Sequence, residues 1–247
     1  MKTKLTLCLL LAASTILPSC ELGLDFLNPA GKTKTVERPF PTTVAKVVID
    51  DDVDVTVFID PAASQRAVVT AGENLISGIK TDISDSTITI KNTNTFAWTS
   101  SFKNKKQVTL YLNSSFATLE YYGDGNVSVL DTIKENYFTY HCSESSGEVS
   151  ILLKANNVVI DQQSSVSDLR VFGSCNNATV TYRGSGWIYL DKFVANNMSV
   201  TSYGSGDIYV NVINSLMVSI KSIGNIVYSG NPTIALSKDG TGNLVKE

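Results

Sequence analysis

Seven times between Gly123 and the C-terminus the chain repeats one unit, a turn that is usually Gly-Xaa-Gly followed by a four-residue strand. The clearest copies are Gly184-Ser185-Gly186-Trp187-Ile188-Tyr189-Leu190 and Gly204-Ser205-Gly206-Asp207-Ile208-Tyr209-Val210. With the last turn residue as origin (Gly125, Gly147, Ser167, Gly186, Gly206, Gly224, Gly242), the spacings are 22, 20, 19, 20, 18 and 18 residues. A period near 20 built from short strands predicts a β-solenoid, each coil stacked on the one before. Position +2 is always aliphatic, from Val127 through Val149, Leu169, Ile188, Ile208 and Ile226 to Leu244. Position +4 is Val129, Ile151, Val171, Leu190, Val210, Tyr228 and Lys246, the last a break at the final coil. Positions +1 and +3 are mostly polar or aromatic, with Val227 and Val245 the aliphatic exceptions, so the strands alternate as half-buried strands do. Like residues then form apolar columns about 4.8 Å apart inside a tube.

A second strand precedes each turn, with inward sets such as Ala178/Val180/Tyr182 and Met198/Val200/Ser202. Before the Gly147 and Ser167 turns the inward set (Phe138/Tyr140/Cys142 and Val158/Ile160/Gln162) comes one residue earlier, so those turns are expected to carry an extra residue. The turn glycines are read as corners needing positive φ. Asn136, Asn156, Asn176 and Asn196 recur every 20 residues and Asn157, Asn177 and Asn197 follow three of them. Stacked amides can hydrogen-bond along the tube; the ladder is read as structural, with a glycan-facing ridge as the alternative.

Residues 1–20 read as a secretory signal: Lys2 and Lys4, an apolar run from Leu5 to Leu17, then Pro18-Ser19-Cys20. The cysteine after a small residue resembles a bacterial lipobox, with Pro18 a departure from its commonest form, and makes Cys20 the expected lipidation site and membrane anchor. Residues 21–39 read as a tether, residues 40–112 as an N-terminal β unit that begins the solenoid, and residues 113–247 as its regular coils, with a loop or break near 92–106. Net charge is −3 with 17% charged residues and no basic stripe, which argues against nucleic acid. Cys142 and Cys175 fall on different sides of the coil, which argues against a disulfide.

No catalytic residue, cofactor motif or metal site emerges. The single histidine, His141, alternates with Tyr140 and Cys142 and is expected to face outward. Asp50-Asp51-Asp52-Val53-Asp54 is the densest acidic run; calcium favours such oxygens, but the run reads as a strand entry with solvated charges. Asp168 and Asp207 share the +1 column two coils apart, about 10 Å, near the range of about 6.5–9.5 Å for inverting glycoside hydrolysis. A β-helix polysaccharide lyase or hydrolase is therefore a weaker alternative. The favoured candidate site is aromatic: Trp187, Tyr189, Tyr203 and Tyr209 are expected outward on neighbouring coils beside Asp207, Asp168, Arg170 and Arg183. Aromatic faces stack on sugar rings, and flanking polar groups orient hydroxyls. The expected partners are a glycan or a cell-surface or envelope protein.

The lipobox, the strand Val53-Asp54-Val55-Thr56-Val57 and the Gly-Ser-Gly-Xaa-Ile-Tyr-Val coils ending in Asn225-Ile226-Val227-Tyr228-Ser229-Gly230-Asn231-Pro232 together resemble the head GIN domain family of exported Gram-negative proteins. The resemblance covers roughly residues 45–245 and departs from the pattern at Ser165-Val166-Ser167, where the glycines are missing. It implies a right-handed parallel β-helix and a non-enzymatic lipoprotein of the cell envelope, outer-membrane attached and facing the periplasm or the surface, with an adhesin or scaffold role. It transfers no active site.

Overall fold

The computed structural model describes residues 30–94 and 106–247. The expected signal, Cys20 and the first part of the tether lie outside the described residues, as does 95–105. The alternating runs fold as strands, in chain order β1 (Thr33–Pro39), β2 (Lys46–Asp51), β3 (Asp54–Ile59), β4 (Arg66–Gly72), β5 (Ile79–Ser84), β6 (Thr87–Asn92), β7 (Gln107–Leu112) and β8 (Thr118–Gly123). There follow the long bent strands β9 (Val127–Ser143), β10 (Glu148–Gln163), β11 (Asp168–Arg183), β12 (Ile188–Ser202) and β13 (Ile208–Ile220), then β14 (Ile226–Ser229), β15 (Thr233–Lys238) and β16 (Leu244–Lys246). All 16 belong to one continuous sheet wound into a solenoid. Among the described residues the only helical turn is Ile76–Gly78.

The +2 column is realised as expected. Val127, Val149, Leu169, Ile188, Ile208, Ile226 and Leu244 pair in parallel register from coil to coil. The first six are 0% exposed. Each such aliphatic side chain contributes about 1.5–3 kcal/mol on burial. The second halves of β9–β13 stack in the same way, Phe138 on Val158, Ala178, Met198 and Leu216.

The glycine corners have a different cause from the one the sequence suggests. Positive φ at glycine occurs among the described residues at Gly31, Gly173 and Gly230, not at the turns. What the turns need is absence of bulk. A Cβ on Gly206 would overlap the carbonyl oxygen of Gly186 and come within 2.5 Å of Tyr182 Oη. Tyr182 is a fully buried plug: its hydroxyl donates to Gly186 O and accepts from Gly206 N. Tyr121 does the same lower in the tube, donating to Gly125 O at 2.6 Å and accepting from Gly147 N at 3.1 Å. Between them the inward position is held by Cys142 and Gln162. No ring occupies those two positions of the column, and Ser165 and Ser167 replace glycine at the corner. Their hydroxyls join Ser145 and the Cys142 thiol in a buried hydrogen-bonded cluster. The two longer turns absorb their extra residue at Glu144 (φ 51°) and Ser164 (φ 46°).

The N-terminal half is wound out of sequence order. β2 and β3 form a coil whose upper neighbours are β8 and β9 and whose lower neighbours are β6 and β7, all parallel. The chain thus lays down the middle coil, then the one beneath it, then climbs past both. The expected break near 92–106 falls between β6 and β7, and its residues 95–105 lie outside the described residues. Residues 33–39 are not tether: β1 pairs antiparallel with β4, Val36 opposite Val69. Its alternating Lys and Thr are an edge strand exposed on both faces. Arg38 fastens it across the tube, donating to Ile79 O at 2.6 Å and Ile76 O at 3.0 Å. With β5 antiparallel to β6, these strands close the lower end.

Candidate functional site

After each corner the chain enters a strand whose odd positions face outward, giving three parallel columns on one side of the tube. The +3 column carries Arg170, Tyr189 and Tyr209 in register. Tyr189 and Tyr209 stack with centroids 5.3 Å apart and planes 11° apart. The Arg170 guanidinium covers the other face of Tyr189, 3.9 Å from its centroid, and its Nε donates to Glu148 at 2.6 Å. Partial burial opposes the charge on Arg170, yet the Glu148 carboxylate holds its pKa above the ordinary value. Trp187 leans against both tyrosines at 5.9 and 6.4 Å, tilted 56° and 45°. Both faces of Tyr189 are therefore covered, whereas Trp187 remains 44% exposed. Beside the stack lies a groove of about 380 Å³ lined by Arg170, Phe172, Tyr189, Asp191, Lys192 and Tyr209, among others. Burial, then the Asp207 charge, raises the Tyr209 pKa, so its phenol is a proton donor at neutral pH.

Arg183 and Tyr203 do not join this cluster. They pair with each other beside the turn, the guanidinium 4.5 Å from the ring centroid. Asp168 and Asp207 each commit one carboxylate oxygen to the framework. Asp168 Oδ1 accepts from the backbone N–H of Trp187 at 2.8 Å, one coil on, and Asp207 Oδ1 from that of Asn225 at 2.7 Å. Asp54, Asn126 and Asn225 repeat the contact at 2.9, 3.0 and 2.9 Å. The +1 column is thus a ladder of side-chain acceptors for corner N–H groups, interrupted at Glu148, which accepts from Arg170, and at Trp187, which has no acceptor to offer. Its signal was present in the recurrence of Asp and Asn at +1.

The sequence reading missed the +5 column. Phe58 pairs with Tyr111 and Leu152 with Phe172, and Leu130 holds the same position in β9, where the register to β10 shifts. Phe58 and Tyr111 stack at 5.4 Å, Arg66 caps Tyr111 at 4.0 Å, and Leu130 is 49% exposed. This apolar stripe runs from the closed end up to the aromatic groove.

A comparison with family models decides the kinship: residues 45–232 match the family described as "Putative auto-transporter adhesin, head GIN domain". The chain belongs to that family. Among solved structures, the head GIN chain is similar to a "putative adhesin" from Bacteroides fragilis NCTC 9343, with TM-score 0.80 and 21% identity over 89% of this chain and 99% of that one. A "putative adhesin" and a "Putative lipid binding protein", both from Parabacteroides distasonis ATCC 8503, give TM-scores of 0.62 and 0.65. Their identities are 16% and 18%, each over 88% of this chain and 98% and 97% of theirs. At these identities the likeness shows the fold. No relative is found among curated proteins.

The remaining candidates have structural occupations. His141 turns outward and its Nδ1 lies 3.1 Å from Asp161 Oδ2. In the acidic run, Asp50 pairs with Lys91 at 2.7 Å, Asp52 with Lys106, and Asp54 serves the corner ladder. No group of three or more His, Cys, Asp or Glu among the described residues is placed to hold a metal ion. Cys142 and Cys175 are free and buried, and burial pushes the Cys175 thiol up to about 12. No helix among the described residues is long and apolar enough to cross a membrane.

Proposed function

We propose that this head GIN protein is a non-enzymatic adhesin of the cell envelope, anchored by acylated Cys20, that recognises an extended glycan through the groove beside Trp187, Tyr189 and Tyr209. Membership of an adhesin family supports the coarse role. The finer reading is carried by one observation: an indole, 44% exposed, tilted against a tyrosine stack that itself lines a groove with Arg170, Lys192 and Asp191. An exposed ring supplies the apolar face a sugar stacks on, and a few charged and hydroxyl groups beside it fix orientation. Trp187 and the outer side of Tyr209 are the stacking surfaces; Arg170 and Tyr189 are their buttress. The test is a glycan array with the mature chain. The expected result is a signal lost in Trp187→Ala at unchanged melting temperature. Retention of that signal would refute the assignment.

A second reading, an envelope scaffold that docks a protein, is favoured by the stripe Tyr111, Phe58, Leu130, Leu152 and Phe172, because contiguous exposed apolar surface marks interaction sites. Its signature is a co-purifying envelope protein lost in Leu130→Arg while glycan binding persists.

A further inference from the structure

At the corner where β9–β12 bend from one face to the other lies a second groove, of about 750 Å³. It is built by missing bulk. The column above Glu135 continues as Ala155, Cys175 and Ala195, and Gly173, two residues before Cys175, sits at φ +118° where a Cβ would overlap the carbonyl oxygen of Leu153. Four amides line it in sequence. Asn156 Nδ2 donates to Asn136 Oδ1 at 2.6 Å, Asn176 to Asn156 at 2.9 Å, and Asn196 to Asn176 at 3.0 Å. Each amide has two N–H donors and two acceptor lone pairs. The ladder uses one of each between neighbours, leaving every middle rung a donor and an acceptor to offer outward. That pair of functions is what a sugar hydroxyl satisfies, and it is repeated once per coil, about every 4.8 Å.

Two cations border the same groove. Lys134 and Lys154 are in direct parallel register, both exposed, and neither forms an ion pair among the described residues. Like charges on adjacent strands destabilise a sheet, and an anion between them reverses the sign of that interaction. Glu135 is the one carboxylate of the lining. The lining contains no aromatic ring on which nucleobases would stack.

We propose that this groove is a second binding site, distinct from the aromatic one, for a linear acidic polysaccharide. Its carboxylates or sulfates lie between Lys134 and Lys154, and its hydroxyls follow the rungs Asn136, Asn156, Asn176 and Asn196. The inference does not depend on the reading of the Trp187 groove.

The experiment is calorimetric titration of the mature chain with polygalacturonate, alginate and chondroitin sulfate, with fully methyl-esterified polygalacturonate as the uncharged control. The expected result is binding of at least one acidic polymer, weakened by salt and absent for the ester. The double variant Lys134→Gln/Lys154→Gln should lose about tenfold or more in affinity with unchanged melting, since both side chains are solvent-facing. Trp187→Ala should bind the acidic polymer as the wild type does, which separates this site from the aromatic one. Absence of binding to all three polymers, equal binding of the ester, or full retention in the lysine double variant would each overturn the proposal.

Discussion

On one side of coils β10–β13 the outward residues are Arg170, Tyr189 and Tyr209; on the other side of the same coils they are Thr181, Thr201 and Ser219, in equally strict register. Behind both lie continuous columns of buried aliphatics, Leu169/Ile188/Ile208 on one side and Val180/Val200/Val218 on the other. The backbone pairing is alike; only the outward chemistry differs. The comparison teaches that the stack is specified from inside, by aliphatic columns, tyrosine plugs and bulk-free corners. The outward positions are thereby released, and they are aromatic and cationic on one face and hydroxylic on the other.

The most drastic way to break the comparison is to attack what the two faces share. Gly206→Val places a branched side chain against the carbonyl of Gly186 and the hydroxyl of Tyr182. The expected loss exceeds about 4 kcal/mol, read as failure to recover folded, β-rich protein by circular dichroism. Next come single inward truncations. Ile188→Ala beneath the aromatic face and Ile160→Ala beneath the polar one should cost alike, about 2–5 kcal/mol in urea unfolding. A marked inequality would mean that one face has its own support.

The tyrosine plug gives a pH test. Burial pushes the Tyr182 phenol from 10.0 up to about 12. The folded state then holds a proton that the unfolded state releases, so stability falls as pH rises. The contribution is complete below pH 10 and fades as pH climbs through about 12. Unfolding midpoints across that window should decline less steeply in Tyr182→Phe, which cannot ionise. Smaller still are the outward changes. Tyr189→Ala removes a stacked pair worth about 0.5–1.5 kcal/mol. Thr201→Ala, on the solvated face, should stay within about 0.5 kcal/mol.

Much of the architecture was legible because a period of about 20 residues repeats the same inward aliphatics, and parallel register converts sequence period directly into adjacency. The position of Ile188 against Ile208 required nothing else. Three things were not legible. The corner glycines looked like φ-driven turns, because the close approach of Tyr182 and Tyr121 is a contact between coils that no local pattern encodes. The out-of-order winding of β6 and β7 beneath β2 and β3 is set by long-range pairing among strands that look alike. The tether reading failed over 33–39 because only Val36 and Arg38 of that edge strand turn toward the body of the sheet, too short an alternation to reveal it in sequence. At the site, the outward aromatics followed from alternation alone. Their division of labour did not: Arg170 covering Tyr189, Arg183 pairing with Tyr203, and Asp168 and Asp207 held by backbone N–H groups are matters of rotamer and coil-to-coil reach.

The measurement that bears most directly on the account sets the two faces side by side. The double variants Trp187→Ala/Tyr209→Ala and Thr181→Ala/Thr201→Ala are compared for melting temperature and for binding of the uncharged glycans, which the lysine-bordered groove is not expected to hold. The expected result is that both remain folded, melting close to the wild type, and only the aromatic variant loses binding. Loss of binding in the threonine variant, or its persistence in the aromatic one, would contradict the claim that recognition resides on the Trp187 face of a stack held together from within.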